Sequence, residues 1–374
     1  MRRYALRYLP LLIIGLLLWP FPQEINHSET ATPSANNGDF PIEASPFTAG
    51  SALYGLAMPS AQDVWAVGGV FKIVKNQQEH LQKVVPAQGQ ILHYQNGSWL
   101  ANTSLQLPLL AISMSSVQDG WAAGYGGQLA HYDGHAWQAM KAPTNAILCS
   151  VAMLSAREGW AVGFNGTILH FHDQRWELFP TPTTVAVDLL SVKMVSAQEG
   201  WAVGRNGTIL HYSQQRWQLY HSPTDHTLNG VSFLSPDEGW AVGNQGVILH
   251  YRDGVWSTVR WFPPDGSTLY PNLLDVAITS EHTGWIVGVQ SMLTYDKEVW
   301  QSIAITSEYT GWIVKDQSRL TYNKEVWQAK ASGNVSPGIL YAIVMNASNE
   351  GWAVGDNNSI YHYRSGSWQL TYAY

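Results

Sequence analysis

Only 13% of the 374 residues are charged, against about 25% in an average domain, while 18 are tryptophan and 33 glycine. Such a composition fits many short buried strands joined by tight turns, and the formal charge of -7 contains no basic block that would suit nucleic acid. The single cysteine, Cys149, excludes an internal disulfide and lies in the apolar run 147–151, where it reads as a buried thiol.

At the N-terminus Arg2, Arg3 and Arg7 precede an apolar run over residues 9–21, the layout of an export signal. The run falls short of the about 20 residues that a membrane-spanning helix needs. Residues 1–25 are therefore expected to be a signal peptide or N-terminal membrane anchor. Residues 26–50, rich in Ser, Thr, Pro and Asn, read as a flexible tether. Residues 51–374 read as one repeat domain, exported or extracytoplasmic and in contact with a membrane only through the N-terminal segment.

The repeat is carried by Trp65, Trp121, Trp160, Trp201, Trp240, Trp285, Trp312 and Trp352, most of them 39 to 45 residues apart. A fixed period of that size signals a repeat architecture. The copy over residues 189–222 is the most regular. Leu190, Val192 and Met194 alternate with polar residues and predict a first strand; residues 201–204 predict a second and 208–212 a third. An Asn206-Gly207 pair suited to positive φ joins the last two, and residues 216–220 predict a fourth. Four short antiparallel strands at a period near 40 make a propeller blade. The expected fold is all-β, a single β-propeller of four-stranded antiparallel blades.

Complete copies begin near Leu53, Leu109, Ile147, Leu189, Leu228, Leu273 and Ile339. A further unit, residues 304–328, nearly duplicates residues 277–301 at a shift of only 27. Crossing a four-stranded blade covers about three strand spacings of 4.7–4.9 Å, more than the two residues between Trp300 and Ile303 can span. Seven blades are expected, with the extra unit distorted or incomplete; eight is the alternative.

The Glu-Gly-Trp-Ala-Val-Gly cores at Glu158, Glu199, Glu238 and Glu350, with the Gly-Thr-Ile-Leu-His segments at Gly166 and Gly207, resemble the photosystem II stability and assembly factor family. That family is related to bacterial neuraminidase-type repeats. The resemblance implies an exported or membrane-apposed protein that binds other proteins without catalysis.

Histidines recur at equivalent third-strand positions, His93, His131, His170, His211, His250 and His362. Blade spacing near 10 Å cannot bring them within the about 2.0–2.1 Å of one zinc ion, so each is read as structural, hydrogen-bonding across its blade. The acidic turn residues, Glu158 and its equivalents, are read as turn formers. Arginine is too scarce for the converging set that a sialidase-like site needs. No catalytic residue, metal or cofactor is therefore expected.

Two departures from the repeat point to binding. A loop over residues 69–88 carries Lys72, Lys75 and Lys83, and a long connection carries Arg260, Trp261, Phe262 and Tyr270. Both open on the face of the second-to-third-strand turns, where Arg205 also lies, and loops on a rigid scaffold are where binding usually resides. These eight residues form the expected partner-binding patch, with Trp261, Phe262 and Tyr270 as aromatic anchors; the alternative for Trp261 is that it packs over a blade edge. The expected partner is a protein, bound by a monomer; the alternative is glycan binding or hydrolysis at the same face.

Overall fold

The computed structural model describes residues 40–41, 50–75, 82–182, 186–261, 270–280, 283–289, 291–296, 299–303, 305–307, 311–315, 321–323, 326–328, 334–335, 339–347, 350–364 and 367–372. The expected signal segment and all of the tether but residues 40, 41 and 50 lie outside them. The chain folds as an all-β propeller of four-stranded antiparallel blades. Among the described residues six sheets have four strands in sequence order, and the first sheet has five. In the regular fourth blade, Leu189–Ser196 is innermost, followed outward by Glu199–Gly204, Ile209–Ser213 and Arg216–Tyr220.

Blades adhere through tryptophan. The second-strand indole of one blade meets the fourth-strand indole of the next edge to face: Trp160 and Trp217 lie 5.5 Å apart at 82°, Trp201 and Trp256 5.6 Å apart at 83°. The same couple joins Trp285 to Trp368 and Trp352 to Trp99, the last pair linking the final blade to the first. Such pairs contribute about 0.5–1.5 kcal/mol beyond the area they bury. Trp65, Trp160, Trp201 and Trp352 are fully buried.

A histidine lies against all but one of the second-strand indoles of the four-stranded blades. In six blades an imidazole stacks on the tryptophan at 3.6–4.5 Å between ring centres, and its Nε2 lies 2.6–3.2 Å from a carboxylate at the head of the second strand. The acidic residues thus do more than shape a turn. Each fixes the ring that lies on the tryptophan, as Glu199 does for His211 and Trp201.

Two predicted segments take a different form. Residues 69–75 and 82–88 are paired strands rather than a loop, because Asp63–Lys75 and Gln82–Gln95 continue pairing as far as Lys75 opposite Gln82. Within the expected tether, Phe40–Pro41 adds a short strand to this hairpin, opposite Val84 and Lys83. The near-duplicate unit makes no four-stranded sheet among the described residues. Its hairpin keeps the parental register, Tyr322 opposite Trp327 as Tyr295 is opposite Trp300, but Gly311–Lys315 pairs with Asn334–Val335 instead.

The copy also departs from its parent at one crowded position. At Gly288, the end of the second strand, an added Cβ would lie 2.2 Å from the carbonyl oxygen of Asn272, and the corresponding Gly204 and Gly355 are as crowded. The copy carries Lys315 in place of Gly288. A side chain does not fit that contact, and the copy's strands Ile305–Ser307 and Gly311–Lys315 pair in a different register, Ile305 opposite Val314 where Ile278 is opposite Gly284.

Where a serine hydroxyl accepts a neighbouring backbone N–H at other blade junctions, as Ser191 does from Val231, the sixth blade has Asp275, which accepts from Ile343 at 2.9 Å. Burial pushes its carboxyl up to about 6, against the pull of the Ile343 and Val276 N–H groups and the Lys193 ammonium. The folded chain therefore holds this proton more tightly than the unfolded chain does. The favourable contribution is fully present below about pH 4 and is lost as pH rises through 6. Denaturant titrations of the native chain and Asp275→Asn should diverge between pH 4 and 6, the native chain losing on the order of 2 kcal/mol relative to the variant.

Candidate functional site

The face that presents the second-to-third-strand turns is built by a repeated device. The first residue of each turn donates its N–H to the carbonyl just before the inner strand: Tyr125 to Pro108, Phe164 to Ile147, Arg205 to Asp188, Asn244 to Thr227 and Asp356 to Ile339, all at 2.9–3.0 Å. The next residue takes positive φ, 57° at Asn165 and 54° at Asn206, which suits the Asn-Gly pairs. These bonds hold the turns rigidly around the central axis.

The turns make an uneven mouth. One side is apolar and closed, with Phe71, Tyr125 and Ile147 buried together and Tyr54, Leu110 and Phe164 packed against them. Cys149 belongs to this cluster, and burial raises its thiol far above the ordinary range, so it is protonated and unreactive. The other side is polar. Arg205 Nε lies 2.9 Å from Asp188, the Asn229 amide donates to Asn244 at 3.0 Å, and the Tyr341 hydroxyl donates to Asp356 at 2.8 Å.

Beside the polar side, between the fourth blade and the connection that leads from it to the fifth, runs an open groove of about 1000 Å³. Its floor is the turn at Asn206 and Gly207, and its walls are Val187, Leu219, Tyr220, His221 and His226. Leu219 is 58% exposed, a large apolar side chain held in water at the groove's edge. The Tyr220 hydroxyl donates to the Gly254 carbonyl of the next blade, which fixes that wall.

The predicted patch is redistributed. Trp261 is only 6% exposed; its indole N–H donates to the Gly246 carbonyl at 2.8 Å, and its ring belongs to the core formed by Trp240, Leu273 and Val276. It is a pin for the connection, not an exposed anchor, because five-blade turn and connection press together there. Tyr270 packs edge-on against it at 5.3 Å and stays 37% exposed. Phe262 lies outside the described residues. Arg260 and Lys72 are exposed, while Arg205 is engaged by Asp188. Lys75 and Lys83 are placed by backbone only, opposite Gln82 and Val74 on the hairpin extension. Among the described residues no group of three or more His, Cys, Asp or Glu converges as metal ligands.

Sequence reasoning passed over the groove. Its available signals were an apolar Leu219 at an outward position of an edge strand and two histidines, His221 and His226, in an otherwise polar connection.

With this geometry in hand, comparison with known proteins is informative. Residues 109–213, the second to fourth blades, match the family model described as photosynthesis system II assembly factor YCF48. The repeats there are of that type. Among solved structures, YCF48 bound to a D1 peptide is similar at TM-score 0.58 and 14% identity, over 85% of this chain and 94% of that one. YCF48 from Cyanidioschyzon merolae is similar at TM-score 0.56 and 16% identity, over 85% and 97%. A virginiamycin B lyase from Staphylococcus aureus reaches TM-score 0.59 at 12% identity, over 82% and 94%. At these identities the likeness is one of propeller fold. A search of curated proteins returned no match.

The buried position of Trp261 carries a prediction. Trp261→Ala should remove on the order of 3–5 kcal/mol, as buried large-to-small changes do, and lower the melting temperature by several degrees. Thermal unfolding followed by tryptophan fluorescence checks it.

Proposed function

We propose that the protein is a non-catalytic binding propeller, an assembly or scaffold factor that holds a polypeptide partner on its turn face. The observation that carries this reading is the groove at Asn206, Leu219 and His221, set on rigid turns and edged by an exposed leucine. The blade-one hairpin and the connection that ends at Tyr270 depart from the repeat on the same face. A D1 peptide is bound by the structurally similar YCF48, which supports a polypeptide as the class of ligand here.

The same reading counts seven blades. Its support is the direct packing of Trp285 and Val287 on Leu340, Ile343 and Ala353, and of Leu53 and Ala66 on Trp352 and Val354. It also places the protein outside the cytoplasm, tethered by its N-terminus, on the strength of the three arginines ahead of the apolar run. Loss of membrane association on deleting residues 1–25 would support that placement, and an unchanged cytoplasmic pool would refute it.

The binding claim is tested by crosslinking the full chain in native membranes beside a glycan array. Leu219→Asp should cut capture of the crosslinked protein about tenfold or more without shifting the melting temperature, as expected of a binding hot spot. Undiminished capture by the variant, or binding to glycans alone, would overturn it.

A further inference from the structure

Six blades share the clasp of carboxylate, tryptophan and histidine, and the sixth in chain order lacks it. Thr283 stands at the head of its second strand where Glu199 stands in the fourth blade, and Thr294 lies opposite Trp285 where His211 lies opposite Trp201. Both partners are replaced together, and the near-duplicate unit repeats the pair as Thr310 and Thr321. A threonine offers no ring to lie on an indole and no charge to strengthen a hydrogen bond.

Two further features fall on the same blade. Its junction with the last blade is stapled by the Asp275 carboxylate, which must be taken out of water, where Ser113, Ser150 and Ser191 staple three earlier junctions with neutral hydroxyls. Its outer strand, Val299–Ile303, is followed by the inserted unit before the chain returns at Ile339, so no short connection ties it to the last blade. By contrast, the junction of last and first blades is reinforced by Gln90 and Ser51, which both donate to Asn358.

We propose that the sixth blade is the sector at which the ring opens, residues 273–303 unfolding as a local unit while the remaining blades stay closed. Local opening of this kind concentrates where stabilising contacts are fewest. The connection that includes Tyr270 leads into this blade, so opening it releases the far end of that connection.

Native-state hydrogen exchange of the full chain, read by mass spectrometry, tests this. Peptides within residues 273–303 should open about tenfold or more often than peptides within 189–220. Thr283→Glu with Thr294→His should slow that exchange toward the fourth-blade rate, and each single change should achieve much less. Should the double variant misfold, the converse serves: Glu199→Thr with His211→Thr should bring the fourth blade up to the rate of the sixth. Equal exchange in the two blades of the native chain, or a fourth blade unchanged by losing its clasp, would overturn the proposal.

Discussion

Everything in this molecule depends on the indole couple between neighbouring blades. A single four-stranded sheet does not enclose its tryptophan, and the next blade's outer strand supplies an edge-on indole that completes its cover. The couple therefore makes each blade's stability a property of its neighbour, which is how repeat folds bury a continuous core. It also demands a closed ring, since a chain that stopped short would strand an indole at each end. The Trp352–Trp99 couple meets that demand at the ends of the chain.

The histidine clasp adds a polar constraint to this apolar one. An imidazole held by a carboxylate lies flat on the indole and shields it from solvent on the outer side. The cost of using such a repeat is that every variation is felt locally. Lys315 stands in the near-duplicate unit where the parent blade has the crowded Gly288, and two threonines leave one blade without its clasp. Variation at the first residue of each turn carries no such penalty, since that residue is tied to the scaffold through a backbone bond that ignores side-chain identity. A binding surface can diverge there while the ring stays intact.

Much of the fold was legible because its chief energetic term is also its most visible residue: tryptophans at a period near 40 report both blade and ring. The pairing of histidine with carboxylate was half legible. His170 was recognised as structural, but its partner Glu158, twelve residues earlier, was taken for a turn former, because pairing them requires the register of second and third strands. The blade-one extension looked like a loop by length alone, whereas its alternating apolar residues at Phe71 and Ile73 fit the paired strands. The site was least legible. Trp261 and Leu219 are an apolar pair whose exposures are the reverse of what their positions in loop and strand suggest, and only packing decides between them.

The most direct test of this account is to remove the near-duplicate unit. Deleting residues 303–329 takes out one copy of the 27-residue duplication and leaves a single outer strand leading to the last blade. A ring that closes through Trp285 and Trp368 without that unit predicts a folded variant, with the native circular dichroism spectrum and a melting temperature equal to or above that of the full chain. An unfolded or strongly destabilised variant would show that the unit is a structural blade, and would contradict it.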